Sequence, residues 1–161
     1  MVPVKLADGT VLKLSPGKHN DVQAAVIEQF APRFAPGSIV LYMGDTSRKN
    51  LILDKQNLGN LGILLSDHGK LPDVVLFDSK KKWLFLIEAV TSHGPMTPKR
   101  TVELSHMFTK VDVGLIYVSA FPDFSEFNKH VKKIAWDTEV WIVEFPDHMI
   151  HYNGDKFLGP R

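Results

Sequence analysis

Two acids stand where buried strands do not want them. The stretch LPDVVLFDSKKKWLFLIEAVTSHGP (residues 71–95) reads as two apolar strand runs, 72–77 and 83–90, joined by a turn rich in Ser and Lys. Asp73 opens the first run and Glu88 lies near the end of the second. If the hairpin closes around residues 79–82 with Asp78 facing Trp83, Asp73 falls directly across from Glu88 on the same face. Their Cβ atoms are then roughly 4.5–5.5 Å apart. Two carboxylates that close repel, and each loses hydration beside Val75, Leu76, Leu86 and Ile87. A divalent cation between them relieves both penalties, and oxygen ligands of this kind favour Mg²⁺, Mn²⁺ or Ca²⁺. Glu88 and Ala89 point to opposite faces, which leaves the Ala89 carbonyl at the site as a third ligand. The competing reading is structural: Asp73 caps a loop, and Glu88 pairs with a nearby Lys or Arg.

The elements that must position these acids fit one ordinary domain, residues 1–161. With 161 residues, 44% hydrophobic and 23% charged, the chain can bury a real core. It has no Cys, so disulfides and thiolate zinc sites are excluded. No apolar run approaches the roughly 18 residues of a membrane span. The start MVPVKLADGT lacks an apolar signal core, which points to the cytoplasm. A net charge of +1 neither demands nor excludes nucleic acid, so a DNA-binding surface has to be local.

In chain order, residues 2–14 suggest a hairpin with a type I′ turn at Asp8-Gly9. A helix follows, capped by Asn20 or Asp21, with Val22, Ala25, Val26 and Phe30 inward, ending by about Phe34 before Pro36-Gly37. Residues 38–43 (SIVLYM) and 51–54 read as short strands, and 56–65 as a weak helix broken by Gly59 and Gly62. After the acidic hairpin, Pro98 starts a helix with Val102, Leu104, Met107 and Phe108 inward. Residues 113–120 form a strand with the continuous apolar character of a sheet interior. A further helix (124–134), a strand (138–143) and a terminal hairpin at Asn153-Gly154 complete the chain. The expected fold is α/β: a mixed central sheet flanked by helices, with an αβββαβ core.

That core, with Pro72-Asp73 opening one strand and Glu88-Ala89-Val90 late in the next, resembles the PD-(D/E)XK nucleases. The segments SPGKHN, FAPRFAPG, LYMGDT, LPDVVLFD, WLFLIEAVTSHGP, PKRTVEL, AFPD, TEVWIVEFPDHMIH and NGDKFLGP are similar to the catalytic region of the BsuBI/PstI type II restriction endonucleases. The resemblance runs from about residue 4 to the C-terminus. It implies Mg²⁺-dependent cleavage of double-stranded DNA (with Mn²⁺ able to substitute), usually at a short palindrome by a homodimer, within a prokaryotic restriction-modification system. It also implies an upstream DNA-contacting region that these residues do not include. The superfamily pattern places a Lys two residues after the second acid, and Val90 occupies that position.

A cation must then come from elsewhere. Lys99 in the first turn of the following helix leads, with His93 second and Glu103, four residues after Lys99, as an accessory carboxylate on the same helical face. Glu28 and Asp45 are the other acids available for a second ion. Lys18, His19, Asn20, Arg48, Lys49 and Arg100 are candidate DNA contacts on charge and polarity alone. His148 and His151 would face opposite sides of a strand, which favours a structural role. The alternative function is a catalytically silent DNA- or partner-binding domain that keeps the fold.

Overall fold

The pairing that organises the chain is the hairpin of β5 (Val74–Asp78) and β6 (Trp83–Ala89). In the computed structural model, which describes residues 1–46, 50–63, 70–157 and 160, Asp78 pairs with Trp83 and the register runs back to Val74 opposite Ile87. One step further puts Asp73 across from Glu88, as the sequence expectation requires. The turn is held by Asp78, whose Oδ1 accepts from Lys80 N at 3.1 Å and Lys81 N at 3.2 Å.

Seven strands form the main sheet in the order β4-β3-β5-β6-β7-β8-β9. These are β3 (Ile39–Met43), β4 (Ile52–Leu53), the central hairpin, β7 (Gly114–Phe121), β8 (Thr138–Ile142) and β9 (Ile150–Tyr152). β3, β5 and β6 run antiparallel, β6, β7 and β8 parallel, and β9 returns antiparallel at the edge. The continuous apolar runs of β5, β6 and β7 follow from cover on both faces. On one face, Val22, Val26 and Phe30 pack against Leu76, Phe85, Ile87 and Trp141. They come from α1 (Lys18–Ala25) and the π-helical turn Val26–Phe30 that continues it. On the other face, Leu58 of α3 (Lys55–Asn60) and Leu104 of α4 (Pro98–Met107) pack with Phe108 against Leu41, Val75, Leu84 and Leu86. Phe127 of α5 (Phe124–His130) joins Ile134 in closing the same side over Val90, Phe121, Val140 and Ile142. Among the described residues no helix is long and apolar enough to cross a membrane.

Several local expectations change. β1 (Val2–Lys5) and β2 (Val11–Leu14) do form a hairpin. Its turn is not type I′, because only Gly9 has positive φ (90°) and Gly9 N donates to Leu6 O at 3.0 Å. That is a type I turn followed by a left-handed Gly, the three-residue solution. Helix α1 starts at Lys18 with no side-chain cap, so Asn20 lies inside it. The helical stretch ends at Phe34 as expected, and Pro32 sits inside its last part, α2 (Ala31–Phe34), directly after the π turn. The wider turn accommodates a ring that would meet the Glu28 carbonyl and offers no N–H. Val102 is exposed, so the inward face of α4 runs through Leu104 and Phe108. At the C-terminus, Ile150–Tyr152 pairs with β8, and no hairpin forms at Asn153-Gly154 among the described residues. Gly154 N instead donates to Asp137 Oδ1 at 2.8 Å.

Candidate active site at the end of the central hairpin

Asp73 precedes β5 by one residue and reaches across to the end of β6. Its Oδ2 accepts from the backbone N–H of Ala89 at 2.8 Å. A strand residue sends its N–H and C=O to the same side, so the Ala89 carbonyl faces Asp73 as well. Val90 N, one residue on, turns the other way and donates to Ala120 O at 2.8 Å. The alternation thus brings one carboxylate, one backbone oxygen and the Glu88 side chain to a single point.

Glu88 is the strained member. Its side chain is only 14% exposed. Burial first, and the Asp73 charge second, push its pKa from 4.5 up to about 7, with a carboxyl–carboxyl hydrogen-bond contact to Asp73 acting the same way. Arg100 opposes this: its Nε and Nη2 lie 3.0 Å and 2.9 Å from Glu88 Oε1. Glu88 is therefore half of an ion pair and also stands across from a second acid. His19, on α1, puts Nε2 3.4 Å from Asp73 Oδ1. Its bond to Asp73 raises the His19 pKa against the opposing effect of burial.

The remaining predicted residues separate. Lys99 and His93 are exposed, and among the described residues the Lys99 ammonium has no ion-pair partner. The reason is helical phase: Arg100 lies four and eight residues before the buried Leu104 and Phe108, so Arg100, not Lys99, shares the inward face. Glu103 meets Arg100 Nη1 at 3.5 Å and is half exposed. Asp45 anchors the loop before α1, accepting from Ser15 N at 2.9 Å, Ser15 Oγ at 2.8 Å and Asn20 Nδ2 at 2.7 Å. Asn20 is corrected from DNA contact to buried scaffold: it is 0% exposed and also donates to Ser15 O at 2.9 Å. Glu28 is corrected too. It accepts from Lys5 N at 3.0 Å. It also lies nine residues beyond His19, about 13 Å along a helix, too far for an ion held by Asp73. Lys18 is exposed at the start of α1, whereas Arg48 and Lys49 lie outside the described residues. His151 serves structure, with Nδ1 2.6 Å from Glu139 Oε2 directly across the β8–β9 pair.

Residues 2–155 match the BsuBI/PstI restriction endonuclease domain. The chain belongs to that family. It is 46% identical over 159 residues to the type II restriction enzyme BsuBI of Bacillus subtilis, covering 99% of this chain and 50% of that protein. It is 37% identical over 163 residues to the type II restriction enzyme AplI of Arthrospira platensis, covering 96% and 50%. The solved structure of SdaI restriction endonuclease superposes with a TM-score of 0.91 at 43% identity, over 99% of this chain and 50% of that one. The chain therefore spans about half the length of these relatives.

Two further features of this BsuBI/PstI-family domain shape the site. Val90 is fully buried among Phe121, Phe127, Ile134, Val140 and Ile142, which explains why no lysine stands there. Tyr42 was missed by sequence reasoning. The β3–β5 register shifts between Val40 and Tyr42, so Leu41 is an extra residue and both Leu41 and Tyr42 join the cluster on the α4 face. Tyr42 pairs with Val75, two residues from Asp73 on the same strand face, and burial, then the charges of Asp73 and Glu88, raise its pKa. A bulge leaves no clear mark in a five-residue apolar run; the phase of α4, by contrast, was readable from Leu104 and Phe108.

Proposed function

We propose that residues 1–161 form one PD-(D/E)XK-type nuclease domain that hydrolyses phosphodiester bonds of double-stranded DNA, as the catalytic portion of a type II restriction endonuclease. The observation that carries this is the register that sets Asp73 directly across from Glu88, with Asp73 Oδ2 bonded to Ala89 N at 2.8 Å. Two acids forced together, one with its pKa pushed to about 7, are a poor way to stabilise a strand end but a suitable seat for a hard dication. Among the described residues no group of three His, Asp or Glu is arranged to hold an ion, and His19 meets Asp73 as a hydrogen-bond partner, so water would complete the coordination, as Mg²⁺ prefers. Mn²⁺ should substitute.

When bound, such an ion lowers the pKa of a coordinated water and offsets charge on the phosphorus centre. The chain's own groups do the rest. Asp73 is oriented by the Ala89 N–H and the His19 imidazole, and Glu88 by Arg100. Water oxygen bonds to phosphorus opposite the leaving 3′ oxygen and gives up a proton to solvent; the P–O3′ bond breaks, and the 3′ oxygen takes a proton from solvent, leaving a 5′ phosphate and a 3′ hydroxyl. Cleavage of both strands of a palindrome matches a homodimer with two sites related by a two-fold axis. A restriction enzyme of this kind works in the prokaryotic cytoplasm.

The test is incubation with supercoiled plasmid and Mg²⁺, with and without EDTA. Nicked or linear product that EDTA abolishes supports the reading. Intact plasmid at enzyme excess in both Mg²⁺ and Mn²⁺ overturns it and leaves the silent binding domain.

A further inference from the structure

The central hairpin leaves one role unfilled, because the buried Val90 cannot bring a positive charge to the acids. The opening turn of α4 fills it. Thr97 caps the helix by accepting from Arg100 N at 3.2 Å, and Pro98 takes the first helical position. The cap fixes the phase, and the phase places Arg100 on the face that Leu104 and Phe108 bury. Its guanidinium, 17% exposed, then meets Glu88 in an asymmetric way. Nε and Nη2 both fall on Oε1, Nη2 also donates to Lys70 O at 2.9 Å, and Nη1 lies 3.5 Å from Glu103 Oε2. A fork-on-fork pair would engage both carboxylate oxygens. Here both close contacts use one, and Oε2 is left for another partner.

We propose that Arg100 is the phosphate-binding cation of this site: it holds Glu88 by a single oxygen in the free enzyme and bonds the scissile phosphate once a divalent cation occupies the acid pair. The proposal rests on the nuclease reading above. Charge supports it. A dication at the acid pair adds two positive charges beside Arg100, which favours the arrival of a phosphodiester anion at the guanidinium. The dication also weakens the hold of Glu88 on Arg100, which frees a planar donor fork suited to two phosphate oxygens. A guanidinium keeps its charge throughout the pH range of the reaction. Lys99 has no such placement, since it stands on the exposed side of the same turn.

The test compares wild type, Arg100→Ala, Arg100→Lys and Lys99→Ala by two measurements on folded protein, with thermal melts as the check. One is Mg²⁺ affinity by calorimetry without DNA. The other is the single-turnover rate on supercoiled plasmid at saturating Mg²⁺. We expect Arg100→Ala, at a pH high enough that Glu88 is ionised in both proteins, to bind Mg²⁺ as tightly as wild type or tighter, since a competing cation has left Glu88, yet to cleave at least about a hundredfold slower. Arg100→Lys should recover part of the rate, and Lys99→Ala should stay within about threefold of wild type, the range of an exposed side chain. An arm that merely props up Glu88 would instead lose Mg²⁺ affinity and rate together. That result, or cleavage by Arg100→Ala at the wild-type rate, overturns the proposal. A wild type that does not cleave overturns the nuclease reading instead. The Mg²⁺ comparison then still decides whether Arg100 competes with the ion for Glu88, and weaker binding by Arg100→Ala counts against it.

Discussion

The Ala89 N–H donates to Asp73 Oδ2 at 2.8 Å, so the last residue of β6 is tied to the acid that precedes β5. One bond both ends the hairpin ladder and fixes the Asp73 carboxylate. Asp73→Asn keeps an acceptor for that N–H while deleting a charge that disfavours ionised Glu88. We predict that Asp73→Asn melts at or above the wild-type temperature in EDTA and loses cleavage by at least about a hundredfold, the scale of a lost metal contact. Asp73→Ala should lose cleavage and also stability, by about 1–3 kcal/mol, because the Ala89 N–H is left unpaired. Calorimetric melts with plasmid assays check both; an Asn variant that melts well below wild type would show that the charge, not the bond, holds the strand end.

Glu88 sets a pH dependence. Its pKa rises from 4.5 to about 7 in the folded state, chiefly through burial and then through the Asp73 charge. The folded chain therefore binds this proton more tightly than the unfolded one. The stability so contributed is fully present below about pH 4.5 and is lost as pH rises towards 7; its scale is on the order of 3 kcal/mol. His19, with a raised pKa, acts in the same direction. We expect metal-free wild type to be less stable at pH 8 than at pH 5.5, Glu88→Gln to show a much smaller difference, and Mg²⁺ to stabilise wild type at pH 8 but not the Gln variant. Denaturant titrations in EDTA and in Mg²⁺ measure all of this.

The register of the acids was legible because β5 and β6 are short apolar runs with an unambiguous turn, and a slip of one residue would turn every side chain to the wrong face. The αβββαβ order was legible for the same reason, from alternating apolar runs and breakers. What escaped were one step along a helix and a bulge. Leu104 and Phe108 set the inner face of α4, and stepping back from them reaches Arg100; choosing Lys99 for its place in the first turn and its spacing from Glu103 leaves that step out. Tyr42 depends on an extra residue in β3 that changes no periodicity visible in IVLYM. Asn20 looked like a cap because Asn often is one; its side chain is buried because Asp45 and Ser15 wait for it in the core.

Asn20 therefore predicts a fold phenotype and not a DNA phenotype. Its amide donates to Ser15 O, Asp45 Oδ1 and Thr46 Oγ1, and its Oδ1 accepts from Gln23 Nε2 at 2.9 Å. Asn20→Ala should cost about 2–3 kcal/mol by stranding several buried groups. Any fall in duplex affinity should track the unfolded fraction. A variant that keeps wild-type stability and loses DNA binding at low temperature would return Asn20 to the interface.

Restoring the superfamily lysine should fail, and the reason is packing. Val90 follows β6 on the strand face that carries Glu88, but it is 0% exposed against Phe121, Phe127, Ile134, Val140 and Ile142. Its N–H is already committed to Ala120 O, so the backbone cannot swing the side chain towards Asp73 without breaking the sheet. A lysine there must either bury an ammonium among apolar side chains or give up its proton, since Glu88, on the same strand face, is already engaged by Arg100. We predict that Val90→Lys loses roughly 3–5 kcal/mol of stability, a fall in melting temperature of about 6–20 °C for a chain of this size. We further predict that it gives no gain in cleavage, whether Arg100 is intact or replaced by Ala. Val90→Met, similar in length but uncharged, should cost less, about 1–3 kcal/mol from overpacking. Melting curves separate the two variants. If Val90→Lys melts like wild type and restores cleavage to Arg100→Ala, the apolar cluster opens to the acids, and the division of labour between the strand and α4 is wrong.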